Sequence, residues 1–181
     1  MRQVWQLWQG ALSPERCTEL IKICREECTM RDGTIFSQND LSTNNSIRDT
    51  KIGWTHNSEI KDIVDYYYKE ANRNAFSLDA SYIPSVQYGE YREGSFYSWH
   101  HDINWSADTP YDRKLSVVVQ LTDPAEYEGG KFEFKHVETP ENFITQGSIL
   151  VFPSYLEHQV TRVSKGLRRS LVAWVEGPRW R

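Results

Sequence analysis

Two histidines and one aspartate are the residues of this 181-residue chain whose types and spacing could bind a metal and do chemistry on it. His100 and Asp102 stand two apart in the run Phe96-Tyr97-Ser98-Trp99-His100-His101-Asp102. In an extended strand, residues two apart share a face, so His100 and Asp102 project together while His101 points away. His158 comes after Gly-Ser-Ile-Leu-Val-Phe-Pro-Ser, which reads as a strand ending in a turn, so that His158 opens the next strand. Two imidazoles and a carboxylate are the set that covers one side of iron(II) and leaves the other open to substrate and dioxygen. By itself a His-x-Asp pair is common, and a packed histidine beside an aspartate produces it too.

The supporting residues lie downstream. Arg168-Arg169-Ser170 opens a strand, Ser170–Val175, on which Arg168 and Ser170 share one face and Arg169 takes the other. A guanidinium offers a two-pronged donor to a carboxylate, and a serine hydroxyl adds another. A 2-oxo acid that chelates a metal through one end needs such an anchor for its far carboxylate. Buried without a partner the arginine would be strongly unfavourable, so an anion is expected there.

The elements that must position these groups can be read from periodicity and punctuation. Val4 to Gly10 alternates as a first strand. Ser13 caps a helix with Pro14 at its first position, and Leu20, Ile21, Cys24 and Cys28 recur along it at helical spacing. Residues 31–46 are polar and rich in Asn, Ser, Thr and Asp, the composition of a mobile loop; a short strand near Ile47–Trp54 follows. A second helix spans roughly Ser58 to Phe76, with Ile60, Ile63, Val64, Tyr67 and Ala71 as its apolar stripe. From Tyr82 onward the period becomes two, and seven or eight short strands are punctuated by Gly or Pro. The expected fold is mainly β with flanking helices: a double-stranded β-helix (jelly-roll or cupin-like) with N-terminal helices packed on one sheet. A single domain is expected over 1–181, helical support over about 13–76 and the β-helix over about 82–176.

Composition narrows the classes. The formal charge of −4 predicts no general phosphate-binding surface, although Arg162, Lys165, Arg168 and Arg169 could form a local basic patch. No apolar stretch approaches membrane-spanning length, and the opening MRQVWQLWQGALSP is too polar for a signal peptide. Cys17, Cys24 and Cys28 fall within one helix and lack the distant partners a zinc site needs, so they read as small apolar residues. An odd cysteine count without a disulfide framework agrees with a reducing compartment, and a cytoplasmic protein is expected. Seven Trp and ten Tyr are the one excess, read chiefly as core and mouth filling.

At the level of motifs, the chain resembles a known family. The stretches Tyr91-Arg92-Glu93-Gly94-Ser95-Phe96-Tyr97-Ser98-Trp99-His100-His101-Asp102, Arg113-Lys114-Leu115-Ser116, Gln120-Leu121, Glu128-Gly129-Gly130 and Phe152-Pro153-Ser154 occur in order. They are followed by His158-Gln159-Val160 and Gly166-Leu167-Arg168-Arg169-Ser170-Leu171-Val172-Ala173-Trp174. Over about residues 45–178 this resembles the prolyl 4-hydroxylase-like superfamily of Fe(II)- and 2-oxoglutarate-dependent oxygenases, in its bacterial and phage PKHD type. The resemblance implies that His100, Asp102 and His158 hold Fe(II). It also implies that Arg168 pairs with the far carboxylate of 2-oxoglutarate, with Ser170 as a secondary contact. Tyr91 looks like the tyrosine that bonds the same carboxylate, with Tyr88 and Tyr97 as competitors; Trp174 would line the pocket, and segment 31–46 would be a lid. The implied reaction consumes O2, releases succinate and CO2, and hydroxylates an amino-acid residue, with prolyl 4-hydroxylation of a peptide or protein leading and ascorbate as a reductant. An aspartate at position 102 speaks against halogenation, because halogenating relatives leave that metal position free.

Other readings stay in view. A 2-oxoglutarate oxygenase could instead act on a free amino acid, a small metabolite or a nucleobase, although Arg168 and Arg169 on opposite strand faces disfavour nucleic acid. A non-catalytic cupin-like binding module is the alternative of another class. His101 is expected to pack or to touch substrate, and Trp99 and Trp105 to stack on a ring or to fill the core. The expected partner is a proline-containing peptide or protein, with no nucleic acid and no membrane, and the chain is expected as a monomer or homodimer.

Overall fold

The structure is a computed structural model and describes residues 3–37, 40–42, 46–103 and 108–180. Its first half supplies strand β1 (Gln6–Trp8), helix α1 (Pro14–Glu27), strands β2 (Arg31–Asp32), β3 (Ile35–Ser37), β4 (Asp40–Ser42), β5 (Arg48–Asp49) and β6 (Lys51–Thr55), and helix α2 (Ser58–Ala71). The second half contributes β7 (Val86–Arg92), β8 (Phe96–His100), β9 (Tyr111–Gln120), β10 (Tyr127–Gly129), β11 (Phe132–Phe134), β12 (Ile149–Pro153), β13 (His158–Val160) and β14 (Val163–Pro178).

Both helices begin where side chains can satisfy otherwise unpaired backbone N–H groups. Ser13 Oγ accepts from Arg16 N at 3.2 Å, and Asn57 Oδ1 accepts from Glu59 N and Ile60 N. The stripes Cys17, Leu20, Cys24 and Ile60, Val64, Tyr68, Ala71 are buried against one face of a large antiparallel sheet. Its strands run in the order β1-β12-β9-β14-β7-β6-β2, and β10 pairs with the N-terminal part of β14. A smaller sheet, β11-β13-β8-β5, lies across the other face. Between the sheets, Val118, Leu150 and Phe152 pack against Phe132, Phe134 and Val160. This is the double-stranded β-helix architecture with helices on one sheet.

Several local expectations change. The first strand is confined to Gln6–Trp8 rather than Val4 to Gly10, because only those residues pair with β12. The strand expected near Ile47–Trp54 is two strands in different sheets: β5 pairs with β8 and β6 with β7. The chain crosses between sheets at Thr50, so Arg48 is turned into the cleft. The second helix stops being α-helical at Ala71 and widens into a π-turn, Asn72–Phe76, whose end Ser77 has φ 51°. Asn72 drives that ending, since its side-chain amide bonds both the N–H and the carbonyl of Leu78. Segment 31–46 is not wholly a loop: it contains β2, which extends the large sheet, and the β3–β4 hairpin. The last strand starts at Val163, so Arg168 lies within it rather than at its opening.

Candidate active site

Strands β8 and β13 are antiparallel neighbours, and His158 is the register partner of His100. Pairing therefore places both imidazoles on one side of the small sheet, with ring centroids 4.2 Å apart. Asp102 lies just beyond β8, its backbone N–H donating to Ser154 O at 2.9 Å. His100 Nε2 is 3.8 Å from Asp102 Oδ1, and His158 Nε2 is 3.6 Å from Asp102 Oδ2. One donor atom from each of the three residues lies within 4.8 Å of the others, a cluster able to hold a metal ion. Each Nδ1 is 2.7–2.8 Å from a backbone carbonyl, Ser98 O for His100 and Leu156 O for His158. A carbonyl can only accept, so Nδ1 carries the proton and the Nε2 lone pair is left for a metal.

The electrostatics suit a cation. Burial pushes the His100 imidazole down to about 3, helped by the neighbouring His158, so its ring is neutral at ordinary pH. Burial by itself would raise the Asp102 carboxyl, but His158, His100 and the Ser116 hydroxyl outweigh it and hold Asp102 below the usual carboxylate range. Ser116 Oγ donates to Asp102 Oδ2 at 2.6 Å and lies 2.9 Å from Ser154 Oγ. That support sets the rotation of the carboxylate.

Arg168, 2% exposed, lines the same cavity as the three ligand candidates, as do Ser170 and Tyr91. Its Nη1 is buried and has no hydrogen-bond partner among the described residues. Such an orphaned donor is costly unless an anion satisfies it. A two-imidazole, one-carboxylate set with a vacant guanidinium in the same cavity fits Fe(II) and 2-oxoglutarate. Gly130 gives Arg168 its path: at φ 58°, a Cβ there would sit 3.1 Å from Arg168 Cδ and 2.9 Å from Val163 Cγ2.

The remaining sequence candidates separate cleanly. Tyr91 lies beneath the Arg168 guanidinium, whose Cζ is 5.4 Å from the ring centroid. Tyr97 stacks on His100 at 3.5 Å and also lines the cavity. Tyr88 does not: it faces the helices and its hydroxyl donates to Glu90 Oε1 at 3.0 Å, because strand alternation turns it away from Tyr91. Arg169 likewise turns outward, its Nε 3.8 Å from Glu90. The suspected basic patch disperses, since Lys165 pairs with Glu128 and Arg162 bonds Gly94 O. His101 is exposed at the cavity mouth; Trp99, 36% exposed, is not in its lining, and Trp105 lies outside the described residues. Trp174 does line the cavity, beside Trp54.

Ser116, Ser154, Arg48 and Arg113 were given no role from sequence. Ser116 carried a signal: it and Gln120 are polar residues of one parity in an apolar strand. Arg48 carried none, because Thr34, Gln87 and Tyr97 are brought beside it by tertiary pairing rather than by local sequence.

Residues 86–176, half of the chain, match the family described as the 2OG-Fe(II) oxygenase superfamily. A PKHD-type hydroxylase of Prochlorococcus marinus is 32% identical over 95 residues, which are 52% of this chain and 42% of that protein. The match thus spans less than half the length of that curated relative. A viral collagen prolyl hydroxylase from Paramecium bursaria Chlorella virus-1, solved with 2OG, superposes with TM-score 0.74 at 19% identity, covering 97% of each chain. A Pseudomonas putida prolyl-4-hydroxylase gives TM-score 0.69 at 22% identity over 98% of this chain and 94% of its own. At those identities the structures speak for a shared fold. By its matched half, its fold and its His-Asp-His cluster, the chain belongs to the 2OG-Fe(II) oxygenase superfamily.

Proposed function

We propose that this protein is an Fe(II)- and 2-oxoglutarate-dependent dioxygenase that hydroxylates an amino-acid residue, with peptidyl proline, at its 4-position, the leading substrate. The observation that carries this is the unpartnered Nη1 of the Arg168 guanidinium in the same cavity as a preoriented His100–Asp102–His158 set. The names of the PKHD-type relatives and of the prolyl hydroxylase neighbours support the substrate class.

The roles follow from the contacts. His100 and His158 present Nε2, their other nitrogens tied to backbone carbonyls. Asp102 contributes a carboxylate oxygen while Ser116 holds its orientation. Arg168 receives the far carboxylate of 2-oxoglutarate, with Ser170 and Tyr91 beside it. Iron held there would activate O2, the oxidant, while 2-oxoglutarate would supply two electrons on decarboxylation to succinate and CO2, so that one oxygen atom of O2 ends in succinate and the other in a C–H bond of the substrate. Val118, Val160, Val172 and Phe132 contribute apolar lining and limit the water that reaches the reacting groups. Ascorbate would serve as the reductant that keeps iron ferrous. No described helix is long and apolar enough to cross a membrane; a cytoplasmic location is part of this reading.

Iron analysis combined with succinate formation from 2-oxoglutarate tests the chemistry. Iron-loaded protein incubated with cell-lysate peptides, followed by mass spectrometry for a gain of one oxygen on proline, tests the substrate. Stoichiometric iron with no succinate under any condition would sink the enzymatic reading.

A further inference from the structure

The cavity that holds the metal-ligand candidates continues outward into a second one, lined by Trp54, His101 and Arg113, and the two share Arg48, Gln87, Tyr97, Asp102 and Trp174. Arg48 is 6% exposed at this junction. Its Nε donates to Thr50 Oγ1 at 2.9 Å, Nη1 to Thr34 O at 3.0 Å and Nη2 to Gln87 Oε1 at 2.7 Å. All three acceptors are neutral, and no carboxylate among the described residues forms an ion pair with this buried cation. Its guanidinium carbon also lies 4.4 Å from the centroid of the Tyr97 ring, which in turn stacks on His100. The backbone is shaped to admit it: a Cβ on Gly33 would come within 2.7 Å of Arg48 Nε and 2.4 Å of Thr50 Oγ1.

Charge bookkeeping shows what such an arginine lacks. Iron(II), the Asp102 carboxylate, the Arg168 guanidinium and dianionic 2-oxoglutarate sum to zero, so the reacting centre is neutral without help from the mouth. With Asp102 counted at the metal, Arg113 still has Glu176 within electrostatic reach and lies 3.9 Å over the Trp174 ring. Arg48 is the surplus charge. Burying it with only neutral acceptors is costly, and a ligand carboxylate would relieve that cost through the second N–H of Nη1 or Nη2. Trp174 Nε1, buried and without an acceptor among the described residues, adds another unsatisfied donor on a residue that lines both cavities.

We propose that Arg48 binds a carboxylate of the substrate, so that the molecule hydroxylated carries an acidic group next to the reacting residue. This rests on the oxygenase reading above and narrows it. The carboxylate has two possible sources, the free C-terminal carboxylate of the reacting residue or the side chain of an adjacent acidic residue. Either distinguishes this mouth from one built for a neutral, internal peptide segment.

The test measures binding as well as turnover. Quenching of tryptophan fluorescence in the full chain, under anaerobic conditions and with or without iron and 2-oxoglutarate, would be titrated with N-acetyl amino acids and their matching amides. Dipeptide amides carrying Glu or Gln after the first residue form the second arm. At least one acid is expected to bind tenfold or more tighter than its neutral counterpart, and the arm in which this happens names the source. Arg48→Gln, which keeps hydrogen-bonding capacity without charge, is expected to abolish that preference, and Arg48→Lys to retain part of it. The wild-type comparison needs no variant, so a folding failure in Arg48→Gln leaves it decisive. Equal binding of acids and amides, no binding by either, or a preference untouched by Arg48→Gln overturns the proposal. Succinate formation by the wild-type protein without any probe reads the oxygenase chemistry separately: succinate with no acid preference removes only the present inference, and acid preference without succinate removes the oxygenase reading and leaves Arg48 as a carboxylate-binding site with no hydroxylation attached.

Discussion

The large sheet has two faces built by the same strands, and they do different work. Toward the helices, β14 sends Leu171, Ala173 and Val175, and β9 sends Leu115, Val117 and Val119, none more than 1% exposed. Toward the cleft, the alternate residues of those strands include Arg168, Ser170 and Trp174, and Ser116 and Gln120. The helix side gains free energy from apolar burial, about 25 cal/mol per Å². The cleft side buries polar groups and a guanidinium with an unused donor, arrangements that cost stability until a ligand arrives. Stability and chemistry are thus separated by the parity of residue number, one peptide unit apart. A mutation on one face should be felt chiefly as lost folding energy, on the other chiefly as lost ligand binding.

The sharpest way to break that contrast is to replace a metal-ligand candidate. His158→Ala is expected to reduce bound iron to background and to end succinate formation while the far-ultraviolet circular dichroism stays native. Retained iron would mean the cluster is not the metal site. Across the sheet, Leu171→Ala should lower unfolding free energy by about 2–5 kcal/mol, read by urea titration, with iron affinity unchanged in the folded protein. Its near neighbour on the other face should do the reverse. Arg168→Met is expected to weaken 2-oxoglutarate binding by about 2 kcal/mol or more, some 30-fold in Kd, measured by calorimetry. The ligand-free protein should lose little stability or gain some, because a buried charge with an orphaned donor has been removed.

Smaller effects sharpen the comparison further. Ser116→Ala removes the donor that orients Asp102, and iron affinity should fall about 10–100-fold, as second-layer changes around metal ligands generally do. Unaltered affinity would show that Asp102 is held by its backbone alone. The last effect concerns acid. Because the folded-state pKa of His100 is lowered to about 3 from an ordinary 6.5, the unfolded chain binds a proton between those values that the folded chain does not. Stability therefore rises with pH in that window, and the metal-free protein should weaken progressively as pH falls below 6.5. As pH falls from 6.5, wild type should lose stability relative to His100→Phe, read from denaturant midpoints; parallel curves would show that His100 does not titrate this way.

How far the residues alone could be followed depended on the range of the interactions involved. Local patterns were legible. Ser13-Pro14 marked the start of α1, period-two alternation marked the strands, and the two-residue spacing of His100 and Asp102 put them on one side. The same alternation separated Arg168 from Arg169. Helix and strand ends were less legible, because Asn72 diverts α2 by bonding to Leu78, a feature of one side chain's geometry. The split of β5 from β6 was hidden too, since neither short segment shows which sheet it will join.

What the chain determined by itself was which side chains share a face, because a strand's two-residue repeat is set by its own backbone. The tertiary structure decided which faces meet. It placed His158 opposite His100, stood Ser116 behind Asp102, turned Tyr88 away from the pocket where Tyr91 remains, and brought Arg48 to the cavity mouth. Those juxtapositions arise from pairing register between distant strands, and register is chosen by the burial of the whole sheet rather than by any nearby residue.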